Sequence, residues 1–449
     1  MALTNGHHDE CDDSWISPQD LERLKDISRY EPRDTAVDGQ GILTLPPGTL
    51  PTRLVGEGAA NAVFEFSVPQ GHPSQGLFKR TVLRVAKVKR PGEHASFDYI
   101  AQHKYFLRDI RPRLGGYTVH QELVKAHHAK QLVPEMNEML KRIDGQRRKK
   151  FRGSFVGNTD WALLLEDVRP QESDDYVLIE FKPKWLLQSP NAPPNAIRCR
   201  QCASVFRTFV TKPDLSSPLP SQTLCPLTLG RSDGGHYDFS SPFRIAPALA
   251  AQATSSAQLS YFEHALDRVA NHPVIRKLRT VQAELDKHGP LRAELSPLLP
   301  QAMTLRDCTC FAQIPLSPGR KGPANVALCD FDWKNPERKL EHWRSRESQL
   351  INGGFYTAGR ILCNGKYYTP PTLCLVEHEA GKGSNSGEVI HAVREASGEA
   401  GDILPKKPDS GTMYTHQTDI EILLQRLERN EQGREGSVTD PNSLKDPTR

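Results

Sequence analysis

No stretch of this sequence is apolar for long enough to cross a bilayer. The longest apolar runs, such as Ala162 to Leu165 and Ile422 to Leu424, fall far short of the roughly 20 residues a spanning helix needs. The N-terminus, MALTNGHHDECDD, lacks the pattern of a secretory signal. A soluble protein of the cytoplasm or nucleus is expected. Nine cysteines, an odd number without regular spacing, argue against a disulfide framework. Cys199-Arg200-Gln201-Cys202 is a C-x-x-C with no second pair at zinc spacing, because Cys308-Thr309-Cys310 is too close-set. His94, His103, His120, His127 and His128 are scattered with no carboxylate or thiol at ligand spacing. There are no internal repeats, and no strong excess of one charge: the formal net charge is +4. It conceals one basic cluster, Lys141 to Arg152, which either meets a polyanion or is simply solvated.

What is present allows a large core and two or three domains: 449 residues, 37% hydrophobic and 25% charged. Residues 1–50 are polar and Pro/Gly-rich, with a short helix expected from Ser17 to Ser28. From Thr52, TRLVGEGAANAVFEFSV predicts strand, glycine-rich turn and strand, and FKRTVLRVAKVKR predicts a third strand. Residues 92–150 are expected to be mainly helical, and WALLLEDV (161–168) a buried strand ending in acids. The run YVLIEFKPKW (176–185) predicts a strand presenting Glu180, Lys182 and Lys184 on one face. Loops follow from Leu186, with helix around Arg198 to Thr211. Ser255 to His288 is helical and broken at His272-Pro273, and Phe355 to Val376 offers two short strands. Four segments result: a polar 1–50, a first domain 51–168, a second 169–376, and 377–449 expected to be disordered apart from a helix near 418–429.

Three stretches carry candidate chemistry. In Gly56-Glu57-Gly58-Ala59-Ala60-Asn61, small residues let backbone N–H groups approach phosphates, although an ordinary hairpin has the same composition. On the following strand Arg84 and Lys87 offer cations among Val82, Val85 and Val88. Second, Lys182 and Lys184 repel one another on one strand face, which suits water or an anion opposite them. Third, a strand through Val326 to Trp333 would bring Asp330 and Asp332 to one face as hard ligands for a divalent metal. A helix with periodicity at Leu340, Trp343, Glu347 and Leu350 follows, placing Lys334 and Arg338 together at i and i+4. Asp307, in a strand expected over Met303 to Ile314, is a lone acid among apolar neighbours, either a turn acid or a base for an acceptor hydroxyl.

The order and spacing of Gly56 to Asn61, Leu83-Arg84-Val85-Ala86-Lys87, Glu180-Phe181-Lys182-Pro183-Lys184, Arg306-Asp307-Cys308 and Asp330 to Arg338 resemble the inositol-pentakisphosphate 2-kinase family, fungal type. The resemblance covers roughly residues 52–370, and E-x-K-P-K is its most specific element. It implies an α+β, two-lobed, kinase-like fold: an antiparallel-sheet N-lobe with a nucleotide lid, and a larger mixed C-lobe with an inositide-binding region. It also implies transfer of the ATP γ-phosphate to the 2-hydroxyl of inositol 1,3,4,5,6-pentakisphosphate, with Mg²⁺. Gly56, Glu57, Gly58, Ala59, Ala60, Asn61 and Arg84 would meet ATP, with the backbone around Glu166 to Val168 at the adenine edge. Asp307 would serve as general base, and Asp330 with Asp307 would be the metal-side carboxylates. Lys182, Lys184, Lys334 and Arg338 would hold substrate phosphates, with Arg152 and Arg198 in addition. A monomer needing neither nucleic acid nor membrane is expected, in the nucleus or also the cytoplasm.

Departures from the family pattern are Cys202 where other branches have histidine, and the absence of an asparagine-glycine pair in Ser240 to Ala251. His342 and Trp343 stand near an expected tyrosine contact and receive no role. Some relatives carry a Cys/His zinc site; no matching ligand set is found, so no structural zinc is expected. A non-catalytic inositol polyphosphate-binding protein is the alternative, disfavoured because isolated acids would repel its ligand. A protein kinase is disfavoured because neither H-R-D-x-x-x-x-N nor D-F-G with A-P-E occurs.

Overall fold

The computed structural model describes residues 42–170, 176–231, 255–316, 325–379, 388–394, 412–415 and 417–435. It is mixed α+β; the larger sheet is mostly antiparallel, whereas two of the three pairings in the four-stranded sheet are parallel. The chain forms two compact units, Met1–Leu178 with Ala327–Trp333, and Ile179–Val326 with Lys334–Arg449. The helix expected over Ser17 to Ser28 and the loop Ser240 to Ala251 lie outside the described residues.

The first unit is built on one sheet. Its strands are β1 (Leu43–Thr44), β2 (Leu50–Glu57), β3 (Asn61–Ser67), β4 (Thr81–Val88), β5 (Gln121–Lys125), β6 (Phe155–Val156) and β7 (Trp161–Glu166). They lie in the order β1-β5-β7-β4-β3-β2, with β6 paired to β4. Only β1 and β5 run parallel in it. Strand alternation decides what each face carries. Leu83 and Val85 of β4 pack with Leu132, Met136 and Leu140 of helix α2 (Leu132–Arg142). Val82 and Ala86 face the other way, with Tyr99 of helix α1 (Tyr99–Tyr105), whose hydroxyl accepts from the Ala86 N–H at 2.7 Å. Arg84 therefore shares the face of Val82 and Ala86, and Lys87 the face of Leu83.

The expectation of a mainly helical 92–150 is corrected at β5. Leu123 and Val124 belong to opposite faces of a central strand, and a segment buried on both sides has no period that distinguishes strand from helix.

In the second unit, helix α3 (Arg200–Thr211) follows strand β8 (Tyr176–Phe181) and its lysines. Helices α4 (Ser256–Ala270) and α5 (Pro273–Leu285) bury Phe262, Leu266, Val274, Ile275 and Leu278, and are separated at His272-Pro273. Helix α6 (Leu299–Leu305) leads to strand β9 (Thr309–Pro315), so the strand expected from Met303 begins six residues later, after a helical turn. Strand β10 (Asn325–Cys329) carries the chain back into the first unit, and helix α7 (Pro336–Asn352) and strands β11 (Arg360–Cys363) and β12 (Lys366–Tyr368) follow in the second.

The disorder expected beyond 377 is corrected for the described residues. Helix α8 (Leu375–Glu379) begins that stretch, and strands β13 (Val389–Arg394) and β14 (Thr412–Thr415) extend a sheet ordered β12-β11-β13-β14. Helix α9 (Gln417–Glu435) is the helix expected near 418–429, and it buries Ile420, Leu423 and Leu427 against Phe209, Phe355 and Ile361 in one core. Polar composition concealed these few buried positions. Among the described residues no helix is long and apolar enough to cross a membrane.

Candidate functional site

In the first unit two carboxylates converge on one buried cation. Arg84 Nη2 lies 2.7 Å from Asp330 Oδ1 and 2.8 Å from Asp332 Oδ2. Burial works against the guanidinium charge, but Asp332 and Asp330 outweigh it and raise its pKa. The Asn61 side chain donates to Asp332 Oδ2 at 3.1 Å, and its own buried Oδ1 has no hydrogen-bond partner among the described residues. The sequence places these acids on a strand; instead β10 ends at Cys329 and Asp330 takes φ +67°. Such a conformation is uncommon for a residue with a Cβ and marks a site held by its surroundings. The holding is visible: Gln102 Nε2 donates to the Phe331 carbonyl and its Oε1 accepts from the Trp333 N–H, both at 2.8 Å, while Phe331 stacks on Phe106. Gln102, on α1, is a positioning residue that no motif announces.

The loop between β2 and β3 is exposed at Gly58, Ala59 and Ala60. A Cβ at Gly56 would meet nothing within 4 Å, so folding does not demand glycine there and the space beside the backbone is open. Glu57 turns to a different task. Its carboxylate meets Lys87 Nζ at 2.9 Å and Arg147 Nη2 at 2.6 Å, closing a buried three-charge network. Lys87 is thereby paired on the sheet face opposite Arg84. Arg152 is exposed and donates from Nε to the Arg147 carbonyl at 3.0 Å. At the end of β7 the Glu166 N–H donates to the His120 carbonyl at 3.0 Å, so a ligand edge there would find its carbonyl rather than its N–H. Val168 is half-buried just beyond the strand.

The second unit gathers three lysines on one acid. Lys184 Nζ lies 3.0 Å from Asp307 Oδ1, Lys334 Nζ 2.8 Å from Oδ2, and Lys182 Nζ donates to the Asp307 carbonyl. Burial favours the neutral acid, yet Lys334, Lys184 and Lys182 overcome it and hold the Asp307 carboxyl well below its usual range. Three ammonium groups against one carboxylate leave an excess of positive charge facing solvent, where an anion of several charges can be held. The sequence expected Lys182 and Lys184 on a strand; β8 ends at Phe181, and Lys184 takes φ +60°. Lys334 precedes α7, whose cap is Asn335, so it does not share a helical face with Arg338, which is exposed on the first turn.

Beneath these lysines lies a support of buried charge. Trp185 is stacked by Arg306 at 3.5 Å and Arg200 at 4.2 Å. Arg306 Nη1 pairs with buried Asp286 at 2.6 Å, and Arg200 with fully buried Glu347 at 2.7 Å. Gln282 on α5 donates to the Lys184 carbonyl at 2.9 Å and to the Leu305 carbonyl at 3.3 Å, and accepts from the Leu186 N–H. One amide thus fixes both the lysine segment and the turn before Asp307. Helical periodicity reads α5 as scaffold only, and nothing in the sequence distinguishes Gln282.

Arg198 is a correction. It is 0% exposed, with Nε donating to Thr372 Oγ1 at 3.0 Å and Nη1 to the Ala358 carbonyl at 2.7 Å, and it lies over Phe206. A side chain enclosed in this way does not reach a substrate phosphate. The expectation that the thiols supply no metal-ligand set is also overturned: the sulfurs of Cys199, Cys202, Cys225 and Cys374 all lie within 4.8 Å of one another. The second half of the C-x-x-C pattern comes from single cysteines far along the chain, which spacing rules do not detect.

Residues 55–349 match a family model described as Inositol-pentakisphosphate 2-kinase. The inositol-pentakisphosphate 2-kinase of Yarrowia lipolytica is similar to this chain, 27% identical over 216 residues, a match that covers 43% of this chain and 65% of that protein.

Proposed function

We propose that this chain, which belongs to the inositol-pentakisphosphate 2-kinase family, transfers the γ-phosphoryl group of ATP to the 2-hydroxyl of inositol 1,3,4,5,6-pentakisphosphate, giving the hexakisphosphate. In this reading the fold is the two-lobed, kinase-like one, and the Gly56 to Asn61 backbone with Arg84 meets the ATP phosphates, the carbonyl of Glu166 and the backbone of Val168 the adenine edge. The donor set of Asp330, Asp332 and the buried Asn61 Oδ1, all hard oxygens, suits Mg²⁺. Bound there, Mg²⁺ would neutralise charge on the transferring phosphoryl group.

The observation that carries the proposal is the set of three lysines around an ionised Asp307. Five phosphates at about −1.5 to −2 each give the substrate on the order of eight to ten negative charges. Lys182, Lys184, Lys334 and Arg338, with Arg152 in addition, would pair with them. As the phosphates draw the lysines, Asp307 is relieved of the cations that depress its pKa and becomes the better base. Its carboxylate takes the proton of the 2-hydroxyl as that oxygen bonds to the γ-phosphorus and ADP departs. A module that only binds inositol polyphosphates has no use for an acid among its cations. The proposal takes the protein as a monomer acting in the nucleus, or also the cytoplasm, with no nucleic acid or membrane involved.

The test is incubation of purified protein with Mg-ATP and inositol 1,3,4,5,6-pentakisphosphate, with products separated by ion exchange. Hexakisphosphate is expected, and Asp330→Asn, which keeps the side-chain shape and tolerates positive φ, is expected to lower its formation on the order of a hundredfold or more. Tight pentakisphosphate binding without product would replace the kinase with the non-catalytic binder.

A further inference from the structure

Four of the eight cysteines among the described residues come together in the second unit. Cys199 caps the N-terminus of α3 and Cys202 lies in its first turn, Cys225 precedes a short helical turn at Pro226–Thr228, and Cys374 precedes α8. All four are buried, with Leu227 and Leu375 packed around them. We propose that Cys199, Cys202, Cys225 and Cys374 hold one structural zinc ion as a tetrathiolate site, and that the buried guanidinium of Arg198 balances its charge.

The spacing is that of ligands rather than of disulfides or packed thiols. A tetrahedral site with zinc–sulfur bonds of about 2.3 Å separates its sulfurs by about 3.8 Å. Cys225 Sγ lies 3.9 Å from Cys199 Sγ and 3.9 Å from Cys374 Sγ. A disulfide needs about 2.05 Å. Backbone groups already favour charged sulfur: the Cys199 N–H donates to Cys374 Sγ at 3.1 Å, and the Cys202 N–H to Cys199 Sγ at 3.4 Å. The N-terminal end of α3 adds its dipole in the same sense. Soft thiolates in a closed, four-coordinate, apolar setting select zinc over the hard cations.

Arg198 supplies the second, independent observation. Zinc with four thiolates carries a net charge of −2, which needs a counter-charge when buried. Arg198 stands next to Cys199 in sequence and is enclosed at 0% exposure. Its Nη2 has no hydrogen-bond partner among the described residues. A dianionic centre beside this enclosed guanidinium would supply the counter-charge that four neutral thiols do not. The site would tie the helix after the lysine segment to two distant stretches, 225–229 and 374–379.

The test uses the full chain, purified under reducing conditions without chelator, with metal content measured by mass spectrometry. One zinc per chain is expected, together with an intact mass showing no disulfide. Because Cys374→Ser removes a buried ligand and with it a tie between distant stretches, cobalt exchange of the wild-type protein gives a second readout that does not depend on the variant folding: sulfur-to-cobalt charge-transfer bands and the strong visible bands of a tetrahedral thiolate site. Arg198→Met is expected to lower zinc retention against a fixed competing chelator by about tenfold or more, as loss of an outer-shell partner does; Cys310→Ser, outside the cluster, should not. Protein without zinc, iron in its place, or a mass short by the hydrogens of one or two disulfides would overturn the site. Unchanged retention in Arg198→Met would overturn the charge-balancing role. These readouts are metal content and spectra, so they stand or fall separately from kinase activity.

Discussion

Lys182, Lys184 and Lys334 share one acid, so removing any one changes both the charge available to an anion and the state of Asp307. A charge-assisted hydrogen bond contributes roughly 1.5–3 kcal/mol, or about 10- to 150-fold in affinity. Lys334→Ala and Lys184→Ala are each expected to raise the KM for the inositol phosphate within that range, with a steeper loss at high salt than at low salt. Arg198→Met should leave that KM unchanged, because the guanidinium is enclosed among Phe206, Thr372 and the Ala358 carbonyl. Steady-state kinetics of the variants check this directly; a KM that rises for Arg198→Met and not for the lysines would exchange their roles. Residue type carried the lysines and both acids into view, since repelling cations and isolated carboxylates stand out in an apolar strand. It could not separate Arg198 from Lys182, because a formal charge is the same whether the chain later buries it or not. Nor does residue type signal the positive φ of Lys184 and Asp330, which arises from Gln282 and Gln102 gripping the adjacent backbone.

At the scale of elements, α7 shows how a correct periodicity can conceal a charge. Trp343, Glu347 and Leu350 are buried on one face of the helix, as spacing predicts, yet Glu347 is an acid at 0% exposure. It accepts from Tyr356 Oη and Ser189 Oγ, both at 2.7 Å, and pairs with Arg200 of α3. Removing one partner of a buried pair leaves the other charged and unsolvated, at a cost of about 3–5 kcal/mol. Glu347→Ala should therefore destabilise the protein by that amount in denaturant unfolding. Because Arg200 also stacks on Trp185 behind the lysine segment, the variant should lose activity even where it remains folded. Glu347→Leu, which keeps Arg200 equally orphaned, should be no milder; a neutral result in both would mean the pair contributes nothing to α7 docking. Strands β2, β3 and β4 were legible from the turn residues that bound them, although β4 is itself buried on both faces. β5, likewise covered on both faces, lies among helix-like apolar spacings and was not.

For the whole molecule the consequential correction is the end of the second unit. A boundary at 376 follows from composition, since Gly, Ser, Glu and Lys dominate what lies beyond. Composition averages over length, whereas a core is made by a few positions: Ile390 and Ala392 of β13, and Ile420, Leu423 and Leu427 of α9, all in the cluster of Phe206, Phe355 and Ile361. The pairing is also long-range in the chain, β11 with β13 in parallel and β13 with β14, and no local signal announces it. Burying an Ile or Leu contributes roughly 1.5–3 kcal/mol, so Ile420, Leu423 and Leu427 together are worth on the order of 5 kcal/mol or more, comparable to the whole stability of an ordinary domain. Arg426 adds a polar latch, donating to the Ser217 and Pro218 carbonyls at 2.9 Å while lying over Phe209. A chain ended at residue 411, before β14 and α9, is therefore expected to aggregate or to unfold well below the full-length protein. Leu423→Asp in the intact chain should reproduce the defect from a single position. Ending the chain at 435 removes none of the described contacts and should leave the melting temperature where it was. Thermal melts of the three proteins decide the matter: if the chain ended at 411 melts like the full-length protein, α9 is a passenger on the core, and the boundary drawn from composition was the physical one.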